Sequence, residues 1–179
     1  MTESSIHTGS RPAERFELRD AVRKTDMQAV RSIVASTGFF TPHEIDIAVE
    51  LVEAHLERGE ASGYHFVFAD VDDQPIGYAC YGPIGCTLGS FDLYWIVIQA
   101  GFRGHGLGRR LLHEVERRVT LAGGRRLYIE TSSRELYEPT RRFYERCGYG
   151  AEARLEDFYS PDDAKIIYAK PVDVARAHR

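Results

Sequence analysis

The residues from Phe91 to Val119 constrain this chain most. A nearly continuous apolar run, Phe91 to Ile98, is followed by glycines at 104, 106 and 108 and then by a helical stripe that begins at Leu107. A run that dense reads as a strand buried on both faces. Leu107, Leu111, Leu112, Val115 and Val119 recur at helical spacing until Gly123 and Gly124 close the pattern. A strand that passes through a glycine turn into a helix makes an anion cradle: glycine permits the tight bend, and the first amides of the helix, unpaired within it, point with the positive dipole end into the turn. Taken alone, the turn also reads as a plain connecting loop. Its flanks must decide.

The chain of 179 residues, 43% of them hydrophobic, predicts one domain over about 15–171, with flexible tails at 1–14 and 172–179. A net charge of −4 and a pI near 6.0 give no overall basic field, so a nucleic-acid partner is not expected. Cys80, Cys86 and Cys147 show neither metal spacing nor a paired framework, which points to a reducing compartment and no zinc site. His43, His55, His65 and His113 likewise show no metal spacing. With no signal-like or membrane-length apolar stretch, a cytoplasmic protein without a membrane partner is expected.

Along the chain, Phe16 to Arg19 alternates like a short strand, and Met27, Val30, Ile33 and Val34 predict a helix with Thr25 at its N-cap. Thr41, Pro42 and Glu44 read as cap, first helical position and capping-box partner of a second helix that runs to about Arg58 and ends at Gly59. Tyr64 to Val71 and Pro75 to Tyr81 predict a hairpin. After the central strand, turn and helix, Arg126 to Thr131 predicts a strand with Tyr128 and Glu130 on one face. Ser132 and Glu135 read as the capping box of a short helix through Phe143 and Tyr144 to Cys147, ended by Gly148. Two strands, about 149–158 and 164–170, finish the domain.

The turn does not fit the common nucleotide loops. It has no Gly-Lys-Ser/Thr ending, and position 109, where a dinucleotide fingerprint needs its third glycine, is arginine. Arg103, Gly106 and Gly108 instead resemble the Arg/Gln-x-x-Gly-x-Gly/Ala motif of the GNAT family of N-acetyltransferases. The resemblance extends through the strand before, the helix after, Leu127 to Thr131 and the segment Phe143-Tyr144-Glu145-Arg146-Cys147-Gly148-Tyr149, covering about 16–170. It implies an α/β (α+β) fold: a mixed, mostly antiparallel sheet flanked by helices, whose fourth and fifth strands, Asp92 to Ile98 and Arg126 to Thr131, splay around acetyl-CoA. The backbone of Arg103, Gly104, His105, Gly106, Leu107, Gly108 and Arg109 would hold the pyrophosphate, and Ile96, Val97 and Ile98 would pair with the amide-bearing pantetheine arm.

Acetyl transfer to an amine needs a neutral amine, a stabilised oxyanion and a proton for the departing thiolate. Tyr144 matches the family tyrosine that serves as that acid; the other reading is an aromatic packed beside Phe143. Asp92 stands eleven residues before Arg103, where some members of the family carry a carboxylate base, and would alternate with Tyr94, Ile96 and Ile98 on one face. It would act through water or with a pKa raised by burial; otherwise it is a solvated strand end. A backbone amide at Ile96 or Val97 would meet the oxyanion. Tyr94, Glu130, Ser132 and Tyr159 are candidates for the acceptor side, Glu130 as a binder of the substrate ammonium or as a purely structural carboxylate. Thr131-Ser132-Ser133 stands where many members carry asparagine, which makes the acceptor contacts less transferable. The resemblance implies a direct transfer to a small-molecule amine, with a protein amine or a noncatalytic acyl-CoA-binding module as the alternatives. It leaves a homodimer open.

Overall fold

The computed structural model describes residues 16–172. Its elements follow in the order β1 (Glu17–Arg19), α1 (Asp26–Ser36), α2 (Pro42–Arg58), β2 (His65–Val71), β3 (Gln74–Pro83), β4 (Ser90–Ile98), α3 (Leu107–Leu121), β5 (Arg126–Ser132), α4 (Glu138–Arg146), β6 (Gly150–Ser160) and β7 (Asp163–Pro171). The strands form one sheet in the order β1-β2-β3-β4-β5-β7-β6, antiparallel throughout except for the parallel β4–β5 pair at its centre. The expected tail at 1–14 lies outside the described residues. Val172, at the other end, is buried, and its amide donates to the carbonyl of Arg125.

Period-2 alternation sends Phe66 and Phe68 to one side of β2 and Val67 and Ala69 to the other, so the sheet has two apolar faces. α1 and α2 cover the first with Val30, Ile33, Val34, Ala48 and Val52. α3 and α4 cover the second, where Leu111, Leu112, Val115 and Val119 meet Leu127 and Ile129. The hairpin between β2 and β3 turns on Asp72 and Asp73, both at positive φ, a geometry that short polar side chains tolerate.

The capping box at α2 forms as read: the Glu44 amide donates to the Thr41 hydroxyl at 3.3 Å, and the Thr41 amide donates to the Glu44 carboxylate at 2.7 Å. Thr41→Ala should therefore lower stability by about 0.5–2 kcal/mol, measured by urea unfolding. Thr25, in contrast, makes no side-chain cap. The Asp26 carboxylate instead turns back out of the helix, accepting from the Arg23 amide at 2.7 Å, and it is also paired with Arg19 at 2.9 Å. Arg19 reaches Asp70 as well, at 2.7 Å, so one guanidinium ties β1 to β2 and α1 through two buried carboxylates.

Two further expectations change. Ser132 belongs to the end of β5, and a 3-10 turn, Glu135–Tyr137, separates it from α4, so there is no capping box at Ser132. β4 is not buried on both faces throughout, since Tyr94 is 40% exposed. The reason lies in its pairing with β3. Leu93 stands opposite Tyr81 and Trp95 opposite Cys80, which leaves Tyr94 as an extra residue in a bulge. The alternation reverses there: Leu93 packs on the α3/α4 face, and so do Ile96 and Ile98, while Trp95 and Val97 pack under α1 and α2.

Candidate active site

β4 and β5 are paired only from Ser90 opposite Arg126 to Leu93 opposite Ile129. Beyond that point β4 stays with β3 as far as Ile98, and β5 stays with β7 as far as Ser132. The two strands therefore diverge, and their facing edges, Tyr94–Ile98 and Glu130–Ser132, are free of each other. The bulge at Tyr94 sits at the point of divergence. A slot with strand edges for walls accepts an extended, amide-bearing chain.

The glycine turn lies at the end of β4. Gly104 and Gly106 have φ of 84° and 77°, the left-handed region that favours glycine. A side chain at either position would meet nothing within 4 Å, so the requirement is conformational and not one of space. Gly106 is the N-cap of α3 and supplies no side chain to cap it. The first helical bond comes from the Arg110 amide, 3.2 Å from the Gly106 carbonyl. The amides of Leu107, Gly108 and Arg109 thus have no acceptor among the described residues, which is the arrangement an anion completes. Leu107 is buried and anchors the turn, whereas His105 and Arg109 face solvent. Gly108 also allows close packing: a Cβ there would stand 3.6 Å from Phe143 of α4 and 3.9 Å from Ile98 of β4. Arg103 folds back, its Nε donating to the Ile98 carbonyl at 3.3 Å and its guanidinium lying 5.2 Å from the Phe39 ring centroid.

Tyr144 is buried on the α3/α4 side among the rings of Phe143, Tyr149 and Tyr168, with centroids 5.3–6.1 Å away. Its hydroxyl has no protein hydrogen-bond partner among the described residues, and burial raises its pKa well above that of an ordinary phenol. Cys147, one turn on, is half-buried, with its thiol also pushed up by burial.

Asp92 lies on the opposite side of the sheet. It points away from the face on which its neighbours Phe91 and Leu93 pack, and because of the bulge it does not share a face with Ile96 and Ile98. Burial raises its pKa, the nearby Glu130 raises it further, and Lys165 opposes the rise. Glu130 is ion-paired with Lys165 at 2.6 Å, and the Lys165 ammonium lies 3.8 Å from the Phe158 ring centroid. Tyr94, edge-on to Tyr64 at 5.5 Å, and Tyr159 complete this surface; burial lifts both phenols to about 12, helped by Asp92 for the first and Glu130 for the second. Both therefore stay protonated as donors near neutral pH.

Ser132 is brought to the same end of β5, but its hydroxyl is committed: it donates to buried Asp163 at 2.5 Å, and Asp163 is also held by Arg134 at 3.1 Å. Arg141 binds the carbonyls of Ser132 and Arg134 at 2.8 Å each, fixing the link from β5 to α4. Lys165 is the residue of this surface that the sequence reading missed. It is 35 positions from its partner Glu130, and no local pattern marks the pair. A separate cavity of about 550 Å3, at the far end of the sheet between His55, His65, Tyr81 and Arg117, holds none of the candidate site residues.

Residues 28–149 match the model of a family described as Acetyltransferase (GNAT) family. Among solved structures, a GNAT-family protein from Desulfovibrio desulfuricans is 53% identical, with a TM-score of 0.88 over 89% of this chain and 100% of that one. An aminoglycoside 6'-N-acetyltransferase complexed with coenzyme A shares the fold at 21% identity and a TM-score of 0.73, over 88% of this chain and 97% of that one. A ribosomal-protein alanine N-acetyltransferase from Escherichia coli does so at 18% identity and 0.70, over 89% and 95%. No curated protein sequence matches significantly.

Proposed function

Because this chain belongs to the GNAT family of acetyltransferases, we propose that it moves an acetyl group from acetyl-CoA to a primary amine of a small molecule, by direct attack and without a covalent enzyme intermediate. The observation that carries the reading is the slot between β4 and β5, which opens beside the Asp92 carboxylate on one face of the sheet, with the Tyr144 phenol buried on the other face. The left-handed glycines and the free amides of Leu107, Gly108 and Arg109 fit a pyrophosphate. Coenzyme A binding by one structural relative agrees with this.

In this reading the amine approaches from the Asp92 side. Its nitrogen bonds to the thioester carbonyl carbon, and the proton it sheds passes to Asp92 directly or through water. Antiparallel alternation turns successive amides to opposite sides of a strand, so one of Ile96 and Val97 offers its N–H to the slot while the other faces β3. That amide receives the oxyanion. As the carbon–sulfur bond breaks, the thiolate takes its proton from Tyr144, on the far side of the sheet. Tyr94, Tyr159 and Glu130 contact the acceptor, whereas Ser132 acts only by positioning Asp163 and the end of β5.

Thiol release from acetyl-CoA across a panel of amines tests the function. Acceptor-dependent release by small amines supports it. Release only with peptide amines would make the acceptor a protein, and tight coenzyme A binding with no release would make this a binding module.

Asp92→Asn tests the base. A carboxylate whose folded pKa is raised works as a base above that pKa and loses activity as pH falls through it. Without it the reaction depends on the ionisation of the amine itself, so the profile of kcat/KM should shift toward higher pH. The same raised pKa means that the folded state binds this proton more tightly than the unfolded one, a stabilisation present at low pH and lost as pH rises through the folded pKa. At neutral pH the half-buried charge is a cost, so Asp92→Asn should raise Tm while lowering activity. An unshifted profile would place the base elsewhere.

A further inference from the structure

Of the 23 basic Lys and Arg residues in this chain, only Lys24, Lys165 and Lys170 are lysines. Partly buried ion pairs favour arginine, whose fork engages a carboxylate with two bonds and cannot lose its proton; lysine can lose it and then becomes a nucleophile. Lys165 is in such a place, with its side chain 12% exposed and paired with Glu130 at 2.6 Å under the ring of Phe158. Its position in the sheet is specific. On β5, Leu127 and Ile129 face the α3/α4 core, so Glu130 and Ser132 project to the other side, and Lys165, registered opposite Ser132, projects with them. The ammonium leans back from the level of Ser132 to that of Glu130, one residue past the point where β4 and β5 part. Asp92 is close enough to feel its charge. Acidic groups facing it are thus Asp92 from β4 and Glu130 from β5, with Tyr159 from β6 beside Glu130.

We propose that Lys165 is an internal acceptor: with no amine substrate present, the enzyme acetylates its own Lys165 at the mouth of the slot. The inference rests on the acetyltransferase reading above. The Lys165 ammonium first loses one proton to Glu130 or to water. The free Nζ then bonds to the thioester carbonyl carbon and releases its second proton toward Asp92. The carbon–sulfur bond breaks, and the thiolate takes its proton from Tyr144 and leaves as coenzyme A, with an amide left on Lys165. The product has no charge at Nζ, so Glu130 loses its partner and the surface beside Asp92 becomes more acidic.

The full-length protein, incubated with acetyl-CoA and no added amine, is followed by intact mass and peptide mapping. The mass should rise by one acetyl group, located at Lys165. Proximity should make the reaction at least about tenfold faster there than at Lys24 or Lys170, although Lys24 is exposed. The rate per chain should not depend on protein concentration, and prior unfolding in urea should abolish the preference. Lys165→Arg keeps the charge opposite Glu130 and should remove the modification. An unmodified Lys165, or one that reacts no faster than Lys24, overturns the inference. If that result comes with thiol release to added amines, the acetyltransferase reading stands; if thiol release is also missing, both fall.

Discussion

Tyr144→Phe should lower kcat by about 10²- to 10⁴-fold, the range of a lost general acid, while the Kd for acetyl-CoA stays nearly unchanged. The ring of Tyr144 packs against Phe143, Tyr149 and Tyr168, and phenylalanine preserves those contacts. Its hydroxyl bonds to no protein group among the described residues, so its removal leaves no partner unsatisfied and stability should hold. A hydroxyl without a protein partner is free to donate to a bound ligand. Burial keeps it protonated across the working pH range, which suits a donor and not a base. Stopped-flow thiol release together with calorimetric titration of acetyl-CoA separates chemistry from binding. Wild-type turnover in the variant would remove Tyr144 from the mechanism and leave it as a core aromatic.

Gly106→Val should act on the other term. Gly106 holds φ of 77° at the N-cap of α3, and a β-branched residue there carries a strain of about 1–2 kcal/mol. The backbone can relieve it only by rotating the amides of Leu107 and Gly108 away from their common aim. Each hydrogen bond to a charged phosphate is worth about 1.5–3 kcal/mol, so losing one should weaken acetyl-CoA binding by about 10- to 100-fold. At saturating acetyl-CoA the turnover should recover most of its value. Gly101→Ala is the matching control, since that glycine has open space around it and no left-handed φ. Equal loss in both variants would mean that the loop as a whole, and not its geometry at 106, governs affinity.

The two predictions concern residues whose legibility in the sequence differs. The glycine turn is local: Arg103 to Gly108 joins a strand to a helix whose apolar spacing can be read directly, and a left-handed N-cap depends on the residue that occupies it. The capping box of Thr41 and Glu44 was legible for the same reason. The neighbours Phe143 and Gly148 mark Tyr144 in the sequence, but the ring of Tyr168 that packs on it comes from β7.

The acceptor side was the least legible part. The sequence marks Asp92, Glu130, Tyr94 and Tyr159 as separate candidates, and they share one region; it does not mark Lys165, which pairs with Glu130 and lies near Asp92. The sequence marks Ser132 both as a cap and as an acceptor contact, whereas its hydroxyl is bound to Asp163, 31 residues away. Asp70 and Asp26, which hold Arg19, were likewise invisible as a group.

Sequence alone determined the order of elements, the strand-turn-helix at the centre and the glycine turn between them, because each follows from hydrophobic period and glycine conformation within a few residues. Tertiary structure alone decided which face each candidate side chain occupies. Periodicity predicts that Asp92, Tyr94, Ile96 and Ile98 lie together, yet pairing with β3 inserts Tyr94 as an extra residue, and Ile96 and Ile98 turn to the opposite side. A bulge costs one ladder position on one strand and is set by the partner strand, so the sequence of β4 carries no mark of it. It stands where β4 parts from β5, the place where the slot opens, two residues after Asp92.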